Sequence, residues 1–466
     1  MITIRSKTLL LCACFIEAVW LLVAQTMGSM LLLVPCLLCF LALVVWAAIK
    51  NVAMPLMLFF LPFAPLLKQS PDTISFFTVA LLLVYMVYTV TGSRQARVLH
   101  LIPALLLVAL TLVVKTAYGY EMDNSYLLFA VTLMLVPFLS RELDGGYGFI
   151  WLTVCFALGI CLAAITAQFL MVFPTISRYI DINTALGMIR RSGYYGDPNF
   201  YSCHITAALS GLLALLLNMT KKWNVVLLAV LVCALLYCGL MSVSKSFLLI
   251  SACLFLLWVA ELLLRKGEVS VKLTVVFTLI VIGVFLLSST VFTDMLGQLL
   301  SRFGQDTNLS EFTTGRIEVW TRYITAMVED PWLLLFGQGY TNIFIGEKPP
   351  HNTIIQVVYQ FGLIGLVLFV TWLVFFMQIL LGEAKIHRHQ IAQLALLLIG
   401  AFGPWMALDY VFFDEFFLFP IYVCAAVRYM AKQERQAESP LLGAAAADAL
   451  PYGVGTYCEF TGKCGE

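Results

Sequence analysis

Residues 348–381 read KPPHNTIIQVVYQFGLIGLVLFVTWLVFFMQILL. From Thr353 to Leu381 this run contains no Asp, Glu, Lys or Arg. About 20 apolar residues in a helix cross the hydrocarbon core, so the run is long enough to span a bilayer. Its start is sharply marked. Pro349 and Pro350 hold the approach extended, Asn352 is a natural N-cap, and Thr353 is the first helical residue. His351, one of five histidines in the chain, is left just outside the helix at the membrane boundary.

The rest of the chain has the same character. Of 466 residues, 62% are hydrophobic and 11% charged, whereas soluble domains are about 45–50% apolar and about 25% charged. A net charge of +1 gives no sign of a nucleic-acid partner. Of 13 cysteines, most, including Cys12, Cys14, Cys36, Cys39, Cys233 and Cys253, lie inside apolar runs and read as small hydrophobes. The first run follows Arg5 and Lys7 as a signal peptide would, but a second apolar run comes almost at once and no cleavage site intervenes. It reads as the first transmembrane helix.

Apolar runs predict spans near 8–25, 29–49, 52–67, 73–92, 98–114, 126–139, 148–173, 200–218, 223–241, 246–264, 270–292, 352–381, 391–408 and 413–430. If the short 52–67 and 126–139 runs are re-entrant or tilted, twelve or thirteen spans remain. The expected class is therefore an all-α polytopic membrane protein of 12–14 helices. Clusters such as Arg5/Lys7, Arg94/Arg97, Lys221/Lys222 and Arg265/Lys266 fall on alternate connections. By the positive-inside rule, both termini are then cytoplasmic. The opposite face receives two long connections, 174–199 and 293–351. Within the second, Ile317, Trp320, Tyr323, Ile324, Met327 and Val328 recur at helical spacing. They predict an amphipathic helix on the outer membrane face, ending near Asp330-Pro331. Residues 1–438 form the membrane domain, and the Ala/Gly-rich 439–466 segment reads as a flexible cytoplasmic tail.

Polar chemistry concentrates in four places on the outer face. The first loop holds Arg190 and Arg191, then Gly193, Gly196 and Asp197-Pro198-Asn199. Paired guanidinium groups on a glycine-rich turn suit a phosphate, although interfacial arginines also snorkel to lipid headgroups. Asn199 is placed to cap the next span. Lys245, in a short outer turn, opposes the positive-inside bias. Arg316 opens the amphipathic helix, where a cation is unfavourable unless an anion is near. The second loop carries seven acidic and four basic residues, so any anion site there is local. At His351, an imidazole titrating near neutrality can take a proton from a hydroxyl. Gly362 and Gly365, at i and i+3, predict a small-residue face for close helix packing. No HExxH, no Cys pair with a His partner, no Walker A and no GxGxxG occurs, so neither metal nor nucleotide is expected. His387 and His389 read as ordinary cytoplasmic loop residues. Apart from Glu17 and Glu261, placed near helix ends, the spans read as nearly free of charge.

Together the four clusters resemble the O-antigen ligase and O-antigen polymerase family. His351-Asn352, nine residues, then Gly362-Leu-Ile-Gly365 is similar to that family's H-[NSQ]-x9-G-x-x-G signature. Residues 315–340, which include Arg316 and Trp320, resemble its G-R-x3-W stretch, and RRSGYYGDPNFYS (190–202) its R-x-G…D-P-N segment. SVSKSFLL (242–249) resembles its S-x-S-R segment, with Lys245 in place of the usual arginine. The resemblance covers roughly residues 185–370. It implies a metal-independent, inverting GT-C-type membrane glycosyltransferase without cofactors, in a bacterial inner membrane. The implied donor is an undecaprenyl-diphosphate-linked glycan, and the implied acceptor another glycan. In this reading His351 is the general base, and Arg316, Arg190, Arg191 and Lys245 hold the diphosphate. Asn352, Gly362, Gly365, Trp320, Asp197 and Asn199 support them. About fourteen spans and the Asp-Pro-Asn-Phe-Tyr segment favour a polymerase, with a chain-length regulator as a further partner. A ligase acting on a lipid core or protein is the alternative, and a lipid-linked glycan flippase a third reading.

Overall fold

The structure is a computed structural model and describes residues 4–69, 73–91, 98–121, 124–139, 148–180, 190–219, 221–264, 269–288, 315–411 and 413–448, with isolated residues between 290 and 313. The described residues form helices and no strand. In chain order these are α1 (Ile4–Met27), α2 (Met30–Ile49), α3 (Ala53–Phe60), α4 (Phe76–Val90), α5 (Val98–Ala117), α6 (Asn124–Leu135), α7 (Gly148–Leu170), the short α8 (Pro174–Ser177), α9 (Pro198–Leu216), α10 (Lys222–Met241), α11 (Lys245–Leu264) and α12 (Val269–Leu287). Beyond the second long connection follow α13 (Arg316–Glu329), α14 (Pro331–Phe336), α15 (Thr353–Leu381), α16 (Ile391–Phe402) and α17 (Glu415–Asp448).

Each of the fourteen predicted runs contains a helix among its described residues. Among the described residues, eight helices are long and apolar enough to cross a membrane: α1, α2, α5, α7, α9, α10, α11 and α15. Three shorter apolar helices occupy 53–63, 76–90 and 124–138. The chain is thus an all-α, multi-pass membrane protein. The short 53–63 segment is buried throughout, and Gly159 of α7 packs directly on the Phe59 backbone. Gln25 Nε2 donates to the Leu66 and Lys68 carbonyls at 2.6 and 3.0 Å. Backbone that leaves a helix at membrane depth is tolerated only when other protein groups satisfy it in this way.

The axis of the bundle is α9. Almost every residue of it is buried, and α7, α10, α11 and α16 pack around it. Gly400 lets α16 approach so closely that the Thr206 hydroxyl donates to the Gly400 carbonyl at 3.0 Å. Gly211 leaves room for the Tyr422 hydroxyl, which pairs with Thr153 Oγ1 at 2.9 Å. The first residues of α9 therefore start from a rigid, central mount.

α15 departs from the sequence expectation. Gly365 does face a neighbouring helix, meeting Leu107 and Leu110 of α5. Gly362 instead breaks the helix, with φ 67° and ψ −178°, a conformation that glycine alone adopts freely. There the chain at Gly337–Gly339 inserts, and a Cβ on Gly337 would lie 2.5 Å from the Gln360 carbonyl oxygen. Gln338 N donates to Tyr359 O at 2.8 Å and Gly339 N to Gln360 O at 2.9 Å. Carbonyls freed by the break are thus satisfied from outside the helix. The glycine pair is not one small-residue stripe: one member is a joint, the other a packing contact.

α13 ends at Glu329, and Asp330 Oδ1 caps α14 by accepting from Trp332 N and Leu333 N at 2.9 and 3.2 Å. Val319, Tyr323 and Met327 are buried against α15, with the Tyr323 and Tyr359 rings edge to face at 4.9 Å. Ile324 and Val328 lie on an adjoining arc and are exposed. The helix thus has a protein-facing arc, an exposed apolar arc and a polar arc carrying Glu318, Arg322 and Glu329. α17 continues to Asp448, into the segment read as tail; residues 449–466 lie outside the described residues.

Candidate functional site

The turn at 190–197 leads into α9. Gly193 and Gly196 take left-handed φ values of 58° and 72°. Asp197 Oδ1 accepts from Asn199 N at 2.7 Å, and Pro198 occupies the first helical position. The cap of α9 is therefore Asp197, not Asn199. An aspartate before proline at the first helical position takes this role readily. Asn199 serves instead as a clasp, its Oδ1 accepting from Arg190 Nη2 at 3.2 Å and from Ser244 Oγ at 3.0 Å.

The two arginines separate. Arg190 is buried, and its Nε also donates to Ser242 O at 3.2 Å. It clamps the turn to the α10–α11 connection. Arg191 anchors by its backbone N to Met241 O at 3.0 Å, while its side chain has no hydrogen-bond or ion-pair partner among the described residues. Both border a small cleft walled mainly by Ala164, Ala167, Met171, Ile180 and Met241. The cleft combines apolar walls with a cationic edge.

Across from this turn, Ser242–Ser244 joins α10 to α11. Val243 is buried at φ 46°, an uncommon conformation for a β-branched residue. Ser244 Oγ lies 2.9 Å from Ser246 Oγ. Lys245, half-buried, is the first residue of α11. The serines flanking Lys245 are thereby tied, through Asn199, to the arginine turn.

His351 sits at φ 48°, also in the left-handed region. Its Nδ1 is 3.1 Å from Asp409 Oδ2, with the imidazole partly exposed and the carboxylate buried. Asp409 Oδ1 accepts from Asn352 N at 3.2 Å. The carboxylate thus lies on the Nδ1 side of the ring, where it favours a proton on Nδ1 over one on Nε2. Asn352 Oδ1 caps α15, accepting from Ile354 N and Ile355 N at 3.0 and 3.1 Å. The 408–411 segment is laced to the same helix end. Thr353 Oγ1 donates to Leu408 O at 2.6 Å, and Val411 N donates to Gln356 Oε1 at 3.2 Å. From the other side, α13 fixes the approach strand: Trp320 Nε1 donates to Pro350 O at 2.9 Å and Tyr323 OH to Lys348 O at 2.7 Å. Burial holds the Tyr323 phenol above its ordinary range, which keeps it a donor.

These two assemblies meet at the head of α9. Phe200, next to Asn199, packs on Tyr410 at 5.5 Å and Phe413 at 4.4 Å, and Tyr410 follows Asp409. Arg316, half-buried at the start of α13 behind the left-handed Gly315, lies one turn before Trp320, which holds Pro350 next to His351. His351, Arg316, Asp197, Asn199, the arginine turn and Lys245 thus belong to one end of the bundle. Gly362 and Gly365 lie further down α15 and shape it.

No family model, curated protein or solved structure matches this chain.

Several polar residues escape a reading by motif. Asp409 lies far from His351 in sequence, and only the fold pairs them. His204 and Glu415 are fully buried, with Nε2 and Oε1 2.7 Å apart. Glu17 is in the middle of α1, not near its end; it is buried and accepts from Cys36 Sγ at 3.2 Å. Lys115, at the foot of α5, donates to Tyr340 O at 3.0 Å beneath the Gly337–Gly339 insertion. His389 pairs with Glu434 of α17 at 3.1 Å, remote from the site. Among the described residues no three His, Cys, Asp or Glu side chains converge as metal ligands do.

Proposed function

We propose that the protein is a GT-C-type membrane glycosyltransferase that extends a surface polysaccharide from undecaprenyl-diphosphate-linked repeat units. The observation that carries this reading is the His351–Asp409 pair, 3.1 Å apart at the head of a membrane helix. A base oriented by a buried carboxylate is the arrangement that removes a proton from a nucleophilic hydroxyl. In the reaction, the acceptor hydroxyl oxygen attacks C1 of the donor sugar and its proton passes to His351 Nε2. The C1–O bond breaks, and its electron pair leaves with the diphosphate. Arg191, Arg316 and Lys245 stabilise that charge, which is the largest electrostatic change in the step. The apolar cleft beside Arg191 suits the hydrocarbon that accompanies such a phosphate. Arg190 and Asn199 hold the turn in place. The protein sits in a bacterial inner membrane, with both termini cytoplasmic and this end of the bundle extracytoplasmic.

The test is incubation of the purified protein with a defined lipid-linked repeat unit. A ladder of lengthening products supports the polymerase. Reaction only after a lipid core or protein acceptor is added identifies a ligase instead. A second reading, a lipid-linked glycan flippase, draws on the ionisable groups within the bundle, Glu17 and the His204–Glu415 pair, because such groups mark transport pathways in many membrane proteins. Movement of the lipid-linked glycan across liposomes, with no new glycosidic bond, would replace the transferase reading.

A further inference from the structure

Among the described residues, the buried ionisable groups that the reaction above does not use include Glu17, Lys115 and a cluster at the top of α17. The cluster is the most developed. Glu415, the first residue of α17, accepts at the same oxygen from two donors: His204 Nε2 at 2.7 Å and Tyr195 OH at 2.6 Å. His204 and Glu415 are fully buried. The Tyr195 ring stands edge-on to the imidazole at 4.6 Å, and Phe156 and Phe419 close its other sides. His204 Nδ1 finds no partner among the described residues. The adjacent Asp414 accepts from Thr78 Oγ1 at 2.8 Å and lies within the field of Lys68.

Such a cluster is a poor stabiliser. Taking a carboxylate out of water is costly, and well-packed apolar residues of similar volume would hold α9 against α17 at least as well. What it does that apolar packing cannot is fix one oxygen in space with two converging donors. One of those donors, Tyr195, belongs to the turn that carries Arg190 and Arg191. That turn contains two left-handed glycines, which leave the backbone few constraints of its own. It is fastened at its start by Arg190 and at its end by the Asp197 cap. Its middle is fastened by Tyr194 OH to Thr166 Oγ1 at 2.9 Å and by Tyr195 OH to Glu415. Of these middle contacts, only that of Tyr195 reaches a charged partner, and charge-assisted hydrogen bonds are the stronger and more directional kind.

We infer that Tyr195, His204 and Glu415 are positioning residues: the buried His204–Glu415 pair anchors Tyr195 and thereby sets the place of the Arg191 side chain at the cleft. The part concerning the donor diphosphate rests on the transferase reading above; the tether itself does not.

The test uses the full chain in lipid nanodiscs and compares wild type with Tyr195→Phe, which removes one hydroxyl and keeps the ring. Amide hydrogen exchange across 190–197 is expected to quicken at least about fivefold, with exchange elsewhere unchanged and the melting temperature within about 3 °C. With the lipid-linked repeat unit as substrate, KM is expected to rise about tenfold and kcat to stay within about threefold. His204→Gln, whose amide can still donate to Glu415, should retain wild-type exchange in the turn, whereas His204→Phe should not. Equal exchange in wild type and Tyr195→Phe overturns the inference, as does faster exchange spread over the whole bundle with a lowered melting point. An unchanged KM in an active enzyme with a loosened turn overturns the donor-positioning role. Should the wild type form no product, the transferase reading fails, and the exchange comparison alone still decides the tether.

Discussion

Asp409 holds His351 and the start of α15 with one carboxylate: Oδ2 lies 3.1 Å from His351 Nδ1, and Oδ1 receives the Asn352 amide at 3.2 Å. The orientation of the imidazole and the register of the helix end are therefore a single structural fact. Asp409→Asn keeps the shape but can offer its amide to Nδ1, which favours the wrong tautomer. Transfer from the lipid-linked repeat unit is expected to fall about 10²–10⁴-fold, the range typical of losing general-base catalysis. His351→Ala should remove product altogether. Both variants should reach the membrane at wild-type levels, and quantifying ladder formation against protein content checks this.

The neighbouring arginines should separate experimentally. Arg190→Ala deletes hydrogen bonds to Ser242 O and Asn199 Oδ1 from a buried guanidinium, a loss of about 3 kcal/mol in stability. Thermal unfolding should show it directly. Arg191→Ala is expected to leave the melting point nearly unchanged and to slow transfer about 10²–10³-fold, as the loss of one transition-state charge stabiliser does. Equal melting losses in the two variants would contradict the division of labour between them.

Gly362→Ala and Gly337→Ala probe the joint in α15. At φ 67° and 77° with ψ near 180°, a Cβ is strained by about 1–3 kcal/mol, and each would also strike backbone across the insertion. A combined cost of about 3 kcal/mol follows, by analogy with overpacking in a closed interior. Gly365→Ala meets only side chains of α5 and its own helix and should cost less. Melting temperatures of the three variants, ranked, test the assignment.

The exposed apolar arc of α13 calls for lipid. A nitroxide placed at Val328 should collide more readily with dissolved oxygen than with a water-soluble nickel chelate, and one at Glu318, on the polar arc, should show the reverse. Equal chelate access at both positions would mean that α13 stands clear of the bilayer.

How far the chain can be read from its residues depends on the range of the interaction. The helices are legible because membrane-grade apolarity is a local property, and Asn352 announces itself as a cap because capping is a contact over two or three residues. Asp197 and Asn199 show the limit of such reasoning. Both are good caps by type, and only the position of Pro198 relative to the first turn decides between them. Asp409 and Glu415 are visible as acids in the last connection between apolar runs, yet their partners, His351 and His204, lie 58 and 211 positions away, so no spacing rule connects them. The distance from Gly362 to Gly365 is plain in the sequence but the conformation of Gly362 is not, because the backbone that fills the break arrives from Gly337. Glu17 sits at the centre of the 8–25 run as well as of α1, so the expectation of a place near a helix end fails on the sequence itself.

The break in α15 has a mechanical consequence. Above Gly362, the short segment bearing His351 is tied to 408–411, to α13 and to the Gly337–Gly339 segment. Below it, the longer segment runs beside α5 through the apolar layer. Bilayers differ in thickness, and spanning helices answer by tilting. A rigid rod would carry that tilt to its tip. Here the break at Gly362 uncouples the direction of the two segments, so a tilt of the lower one need not be carried to the histidine.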